Sequence, residues 1–188
     1  IIAQTGCSSD AFAIIPQSFG VTVSDGTSST TGTTNTLNAT AFSGTPVHKA
    51  GLPLSVRVNS AVPATATNYY QVTANAGSPA LKTAACVNPT GGSPACTLAC
   101  NTGNLALGAF TVVSSELNSA ATYDEAGVFD LTLQDTGYAA VDAADTALAS
   151  RTVAQTAAFR AGRFIPTDLV LTLFPGNFDP PHAGHFAN

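Results

Sequence analysis

The chain has 188 residues, of which 45% are hydrophobic and only 9% are charged, against about 25% charged residues in a typical soluble domain. Its net charge is −5, with 6 Lys and Arg against 11 Asp and Glu, which excludes the strongly basic surface expected of a partner for nucleic acids or anionic membranes. The length suits one domain with a substantial core. Nine acids are Asp and two are Glu. Because Asp favours turns and Glu favours helices, this ratio favours an all-β protein.

The first half of the chain contains short strand patterns separated by turn residues. Residues 12–15 and 18–24 are predicted strands with a proline between them. Apolar and polar residues alternate along 52–58, which predicts a strand with one buried face. Residues 69–73 are the next predicted strand. The segment 77–104 contains three prolines, a Gly-Gly pair and three cysteines, and we expect it to form a Cys-rich loop elaboration of the domain.

The second half repeats this pattern. Its predicted strands, each flanked by turn residues, are 105–113, 116–123, 127–134 and 138–142, and residues 162–166 and 168–174 are expected to close the domain with a last strand. The first two form a predicted hairpin, and 143–149 is expected as one helical turn or a loop. About ten short strands without a long amphipathic helix predict an immunoglobulin-like β-sandwich of short antiparallel strands with long loops. We expect residues 1–175 to form this single domain and 176–188 to form a Pro/Gly/His-rich tail or linker.

The cysteines Cys7, Cys86, Cys96 and Cys100 suit disulfides in an oxidising compartment. Zinc sites favour C-x-x-C or Cys/His spacings, whereas the closest pair here has C-x-x-x-C spacing and no neighbouring His. Four cysteines allow three pairings. The segment between Cys86 and Cys96 is rich in turn residues that a disulfide could close, so the expected pairs are Cys86 with Cys96 and Cys7 with Cys100.

Patterns for nucleophilic catalysis and transition-metal binding are weak. The histidines are His48, His182 and His185, and the chain has no G-x-S-x-G motif, so we expect no nucleophilic triad. His182 and His185 lie with Asp179 in the predicted tail, where a solvated role is favoured over a metal site. We expect no bound cofactor.

Calcium and sugar chemistry are the remaining possibilities for the acidic residues. Asp135, Asp142 and Asp145 fall in consecutive loop-like positions, and Ca²⁺ takes its oxygen ligands from such loops. The D-x-D-x-D-G pattern of calcium loops is absent, however, so turn roles are favoured for these three residues.

Paired carboxylates for glycoside hydrolysis could come from acids that include Asp124, Glu125 and Asp130. Such enzymes usually also present aromatic platforms to the sugar rings, and this chain has no Trp and four Tyr. We therefore favour turn and strand-edge roles for these acids, and a carbohydrate-active enzyme is the least favoured of the functions considered.

The run from Tyr123 to Gly127 has a structural interpretation. Tyr123 is predicted to bond back to the backbone in the manner of a tyrosine corner. Glu125 is expected to cap a nearby turn, and Gly127 to take a positive φ. Arg163 is expected to bury its aliphatic stem and to pair with an acid such as Glu125. All four roles stabilise the fold.

Four segments in order carry a resemblance to a known family. They are Cys-Ser-Ser-Asp-Ala-Phe-Ala-Ile from Cys7 with a following proline, Val-His-Lys-Ala-Gly from Val47, Ala-Thr-Tyr-Asp-Glu-Ala-Gly-Val-Phe from Ala121, and Gly-Arg-Phe-Ile-Pro from Gly162. This order resembles the C-terminal β-rich region of MshQ-like proteins, large exported proteins of Gram-negative bacteria named for the mannose-sensitive haemagglutinin pilus. The resemblance covers residues 7–174. Ile15 stands where that family commonly has Arg before the proline.

The resemblance implies a role in surface adhesion or type IV pilus biogenesis, and the family has no established catalytic residues. The resulting hypothesis is a non-enzymatic, extracellular module of a bacterial surface or pilus-associated protein. Its expected partners are other protein subunits, copies of itself, or a host or biofilm surface, without nucleic acid and without membrane insertion. A self-assembling subunit of an extracellular filament or sheath is the alternative. Because the chain starts at Ile1, we expect it to be a mature product or fragment with its export signal upstream.

Overall fold

The structure is a computed structural model that describes residues 12–26, 34–66, 68–70, 78–91 and 100–168. Within these ranges the strands are β1 (Ser18–Ser24), β2 (His48–Lys49), β3 (Pro53–Val62), β4 (Ala80–Val87), β5 (Leu105–Leu107), β6 (Thr111–Val113), β7 (Glu116–Tyr123), β8 (Gly127–Asp135), β9 (Val153–Gln155) and β10 (Phe159–Ile165). A 3-10 helix, Ala140–Asp142, and one α-helical turn, Leu148–Arg151, lie between β8 and β9.

The strands form two layers that are joined by β9. In one layer β8 lies between β4 and β10, and β2 extends the layer beyond β10. In the other layer β3 lies between β1 and β7, while β5 and β6 pair with the outer edge of β7. Strand β9 pairs antiparallel with the end of β8 and parallel with β1. The predicted all-β sandwich of mostly antiparallel strands is therefore confirmed.

Alternating apolar residues explain which faces of the strands meet. Strand β3 buries Leu54, Val56 and Val58, and β8 buries Leu131 and Leu133, while the residues between them are more exposed. Burying one such side chain contributes about 1.5 to 3 kcal/mol. All five belong to a single core cluster, so burial of these two apolar stripes holds the layers together.

Four rings close one end of the core, where β7 turns into β8. Tyr123 lies 4.3 Å from Phe129 and 5.1 Å from Phe164, measured between ring centroids. His48 meets Phe164 edge to face at 5.7 Å. Aromatic pairs at these distances add about 0.5 to 1.5 kcal/mol beyond their burial, so this cluster fixes the β7–β8 corner against β2 and β10.

The segment 77–104 differs most from its prediction. It was expected as a loop elaboration, but its residues Ala80–Val87 form β4, which pairs along most of β8. The reason is exposure: no residue of β4 is fully buried, so its sequence lacks the apolar alternation that marks a half-buried strand.

Three shorter predictions also differ from the structure. Residues 12–15 are predicted as a strand but belong to none. Residues 68–70 form helical turn structure where a strand was expected from 69, and 138–142 ends in the 3-10 helix instead of a strand. The predicted hairpin is confirmed, since β5 and β6 both pair antiparallel with β7. The first part of the predicted last strand, 162–166, falls at the end of β10, whereas the part after Asp168 and the tail 176–188 lie outside the described residues.

Candidate functional site

An exposed groove at one end of the sandwich combines projecting apolar side chains with an aromatic floor. It has a volume of about 680 Å³, and the described residues that line it carry no charged side chain. We call it the apolar groove and define it by Phe12, Ile14, Ile15, Pro63, Tyr69 and Tyr138.

One wall of the apolar groove is the chain segment that leads into β1. The Gln17 backbone amide donates to the Val62 carbonyl at 2.7 Å, and the Ala13 amide donates to the Asp142 carboxylate at 3.0 Å. This extended segment places Phe12 and Ile14 outward, where they are 75% and 80% exposed. Two large apolar side chains are thus held in solvent on a segment anchored at both ends.

Tyrosine rings form the floor of the apolar groove. The ring of Tyr69 lies 5.0 Å from that of Tyr138 and 6.3 Å from that of Phe19 in the core. The Tyr69 hydroxyl donates to the Asp135 carboxylate at 3.1 Å. These contacts fix the ring beneath the groove, so the floor is part of the rigid core.

Asp135, the last residue of β8, organises this end of the molecule. Its carboxylate is fully buried and accepts the backbone amides of Gly137 at 2.8 Å and Tyr138 at 3.0 Å, in addition to the Tyr69 hydroxyl. Burial raises the pKa of this carboxyl, and the three hydrogen bonds offset part of that increase. The two amide contacts fit the turn role expected for Asp135, because Asp-Thr-Gly at a strand end is a pattern typical of an Asx-turn. Its bond to the Tyr69 hydroxyl has no signal in the local sequence.

The structure does not bring the three candidate calcium ligands together. The Asp135 carboxylate already accepts two backbone amides and the Tyr69 hydroxyl. Asp142 accepts the Ala13 amide, and Asp145 accepts the Thr146 hydroxyl at 3.1 Å. Among the described residues no group of three or more His, Cys, Asp and Glu side chains could hold a metal ion. His182, His185 and Asp179 lie outside the described residues.

The Tyr123 corner packs differently from a tyrosine corner. The Tyr123 hydroxyl is buried without a hydrogen-bond partner. Burial raises the Tyr123 pKa, and an interaction of the hydroxyl oxygen with the Gly103 backbone lowers the pKa in part. Gly103 approaches so closely that a Cβ there would overlap the Glu125 side chain. Tyr123 therefore acts through ring packing, and the hydroxyl is a cost to the fold.

We expect Tyr123→Phe to raise the free energy of unfolding by about 1 kcal/mol, because it removes a buried hydroxyl that has no acceptor. Chemical denaturation measures this change. Tyr69→Phe is the matched control: it removes the hydroxyl that donates to Asp135 and is expected to lower the free energy of unfolding by a similar amount. A clear loss of stability in Tyr123→Phe would instead support the tyrosine-corner hydrogen bond.

The other residues of the predicted corner are in part as expected. Gly127 has a φ of +113°, and the Glu125 carboxylate accepts the Ala126 backbone amide at 2.8 Å. Arg163 does not pair with Glu125, because the ion pairs among the described residues are Arg57–Glu116 and Arg160–Asp130. The buried Nε of Arg163 has no hydrogen-bond partner.

The disulfide differs from the predicted pairing. Cys86 bonds to Cys100 with a Cα–Cα distance of 5.9 Å, so the predicted Cys86–Cys96 and Cys7–Cys100 pairs are wrong. Cys86 belongs to β4 and bonds to the chain that enters β5, whereas the turn residues between Cys86 and Cys96 predict a loop that closes on itself. Cys7 and Cys96 themselves lie outside the described residues.

A second groove, of about 770 Å³, crosses the outer face of β3 and β7. Its charged side chains, Arg57 and Glu116, already form an ion pair, in which the Arg57 Nε donates to the Glu116 carboxylate at 2.9 Å. The rest of its lining mixes small polar residues with apolar ones such as Leu54, Val113 and Ala120. Because its charges satisfy each other, the apolar groove is the stronger candidate for a binding site.

These features define an all-β sandwich domain that carries a disulfide and an exposed apolar groove at one end. No protein-family model, no curated protein and no solved structure matches the chain. In the described part of the chain, no helix has the length and apolar character needed to cross a membrane.

Proposed function

We propose that this chain is a non-enzymatic, extracellular structural or adhesive module of a bacterial surface or type IV pilus-associated protein. The observation that carries the proposal is the apolar groove, where Phe12 and Ile14 project into solvent beside described lining residues that carry no charge. Large apolar side chains held on an anchored segment mark a surface that another molecule covers.

The shape of the groove favours a macromolecular partner. Phe12 and Ile14 stand out from the surface, so they can enter a partner as anchors, which is how aromatic and aliphatic hot spots act at protein interfaces. The low charge of the whole chain also reduces the number of ions that must lose water when a partner docks. Other subunits, copies of this chain, or a host or biofilm surface are the proposed partners.

The cysteine chemistry supports the proposed extracellular compartment. The Cys86–Cys100 disulfide fits an oxidising environment such as the periplasm or cell exterior. The bacterial surface and the type IV pilus enter through the four segments that resemble MshQ-like proteins, and they are the more specific part of the proposal.

The geometry of the candidate catalytic acids favours a non-enzymatic role. Arg160 donates two hydrogen bonds to Asp130 and holds the pKa of that carboxyl below its usual value, whereas a general acid needs a raised pKa. Asp124 accepts the Asn104 backbone amide at 2.6 Å, which is a turn contact. Glu125 likewise bonds its neighbouring backbone amide.

We expect the double change Phe12→Ser and Ile14→Ser to weaken attachment to bacterial cells, isolated pili or biofilm matrix on the order of tenfold or more, because it removes both projecting anchors. Binding of the labelled chain to each surface measures the effect. Since both side chains are exposed, stability should change by less than about 0.5 kcal/mol.

Leu148→Ser is the matched control, since Leu148 is a half-exposed aliphatic residue of the α-helical turn and lines neither groove. It should leave attachment unchanged. Equal attachment by the unmodified chain and the double variant would contradict the proposal. Ordered filaments of the purified chain in electron micrographs would favour the filament-subunit alternative.

A further inference from the structure

Strand β4 presents an edge that no described element covers. Seven of its residues pair with β8, and none of its backbone groups bonds to any other element among the described residues. A strand edge offers a row of backbone donors and acceptors that another extended chain can satisfy. Its eight residues carry one charge, that of Lys82, and no proline.

We propose that this edge pairs with the β4 edge of a second copy of the chain, forming an antiparallel two-fold dimer. The inference rests on the proposed function, because it identifies a copy of this chain as one of the subunit partners. Among the described strands, β2, β5 and β6 also have an open edge, and they are two or three residues long. A head-to-tail contact would match β4 with one of these short edges, whereas self-pairing uses its whole length.

The β-bulge in β4 selects one register for this pairing. Leu81 lies opposite Leu133 and Thr83 opposite Thr132, so Lys82 is the extra residue and shares the outward face with Thr83. With a two-fold axis through Ala84, the core-facing residues of one copy lie opposite core-facing residues of the other, and outward residues lie opposite outward residues. It sets Cys86 opposite Leu81 on the core-facing side, and Val87 opposite Ala80 on the outward side.

In this register each Lys82, with Thr83, lies opposite Ala85 of the other copy. The lysines therefore do not meet, and a small side chain stands across from each of them. The core-facing side also favours pairing, because Leu81 remains 39% exposed beside the fully buried Leu133. A second β4 would extend the layer past this uncovered residue.

Two substitutions of Ala85 test the proposed dimer, because they are expected to change its Kd in opposite directions. In Ala85→Lys, two like-charged pairs oppose each other across the axis, and the Kd of the dimer should rise about tenfold. In Ala85→Glu, two opposite-charged pairs form, and the Kd should fall several-fold. Combining Lys82→Glu with Ala85→Lys also forms two opposite-charged pairs, so the Kd should fall below that of the unmodified chain, as in Ala85→Glu. Sedimentation equilibrium of the full 188-residue chain measures each value.

Two controls separate the interface from the fold. Ala85 lies opposite Asp130 within its own chain, so the free energy of unfolding is measured for each variant. Ala106, an exposed alanine of β5, receives the same substitutions and should leave the Kd unchanged. The inference would be overturned if the chain stayed monomeric at high concentration, or if the Kd of the dimer were unchanged in both Ala85 variants. Attachment that still depends on Phe12 and Ile14 would then leave the proposed function standing.

Discussion

Asp135→Ala is expected to lower the free energy of unfolding by about 2 to 4 kcal/mol. The change deletes an acceptor that is fully buried and serves the amides of Gly137 and Tyr138 as well as the Tyr69 hydroxyl. Each buried donor that loses its acceptor costs about 1 to 3 kcal/mol. Because Tyr69 and Tyr138 line the apolar groove, the same change should also weaken attachment through that groove.

Asp135→Asn is the control for shape and charge. Its carbonyl oxygen can still accept the two backbone amides while its NH₂ group faces the Tyr69 oxygen, so the loss should stay below about 1 kcal/mol. A deficit as large as that of Asp135→Ala would show that the carboxyl group itself, and not its acceptor geometry, is required. If Asp135→Ala left the free energy of unfolding unchanged, Asp135 would not be a stabilising acceptor beneath the apolar groove.

The pH dependence of these two proteins should differ in a defined direction. Burial raises the folded-state pKa of Asp135 above its ordinary value of 3.8. Between the two values the native state holds a proton that the unfolded chain has lost, so this group makes stability fall as pH rises through that window and level off above it. Asp135→Asn lacks this contribution. Denaturation from acidic to neutral pH should therefore show the unmodified chain losing stability relative to Asp135→Asn.

Strands with one strongly buried face could be predicted from the sequence. The alternation of Leu54, Val56 and Val58 marks β3, and that of Leu131 and Leu133 marks β8, because both strands face the core. Strand β4 could not be predicted in this way. Its stability comes from backbone pairing with β8 at the exposed edge of a layer, and such pairing leaves little trace in the order of apolar residues.

The candidate site depended even more on tertiary structure. Phe12 and Ile14 alternate with inward-facing residues as a strand would, and only the hydrogen bonds of Ala13 and Gln17 reveal an anchored segment. Asp135 resembles a turn acid in the sequence, and its importance arises from Tyr69, which is distant in the chain. The order of residues along the chain predicts contacts between near neighbours in sequence. It does not predict hydrogen bonds between residues that are distant in the chain.

Removing the Cys86–Cys100 disulfide should lower the free energy of unfolding by about 3 kcal/mol. The bond closes a loop with a sequence separation of 14, and cross-linking a loop of roughly this length restricts the unfolded chain by about that amount. It also ties the edge strand of one layer to the chain that enters β5 in the other layer. The double variant Cys86→Ser, Cys100→Ser, compared with the unmodified chain by denaturation, measures the loss.

Cys96→Ser is the control that separates the observed pairing from the one expected from spacing. If Cys86 bonds to Cys100, this variant keeps that disulfide and should retain the stability that the disulfide provides. If Cys86 bonded to Cys96 instead, Cys96→Ser and the double variant would both lose that bond. Mass spectrometry of unreduced proteolytic peptides identifies the linked pair directly. A Cys86–Cys96 linked peptide would contradict the pairing, and with it the connection between the β4 edge and the opposite layer.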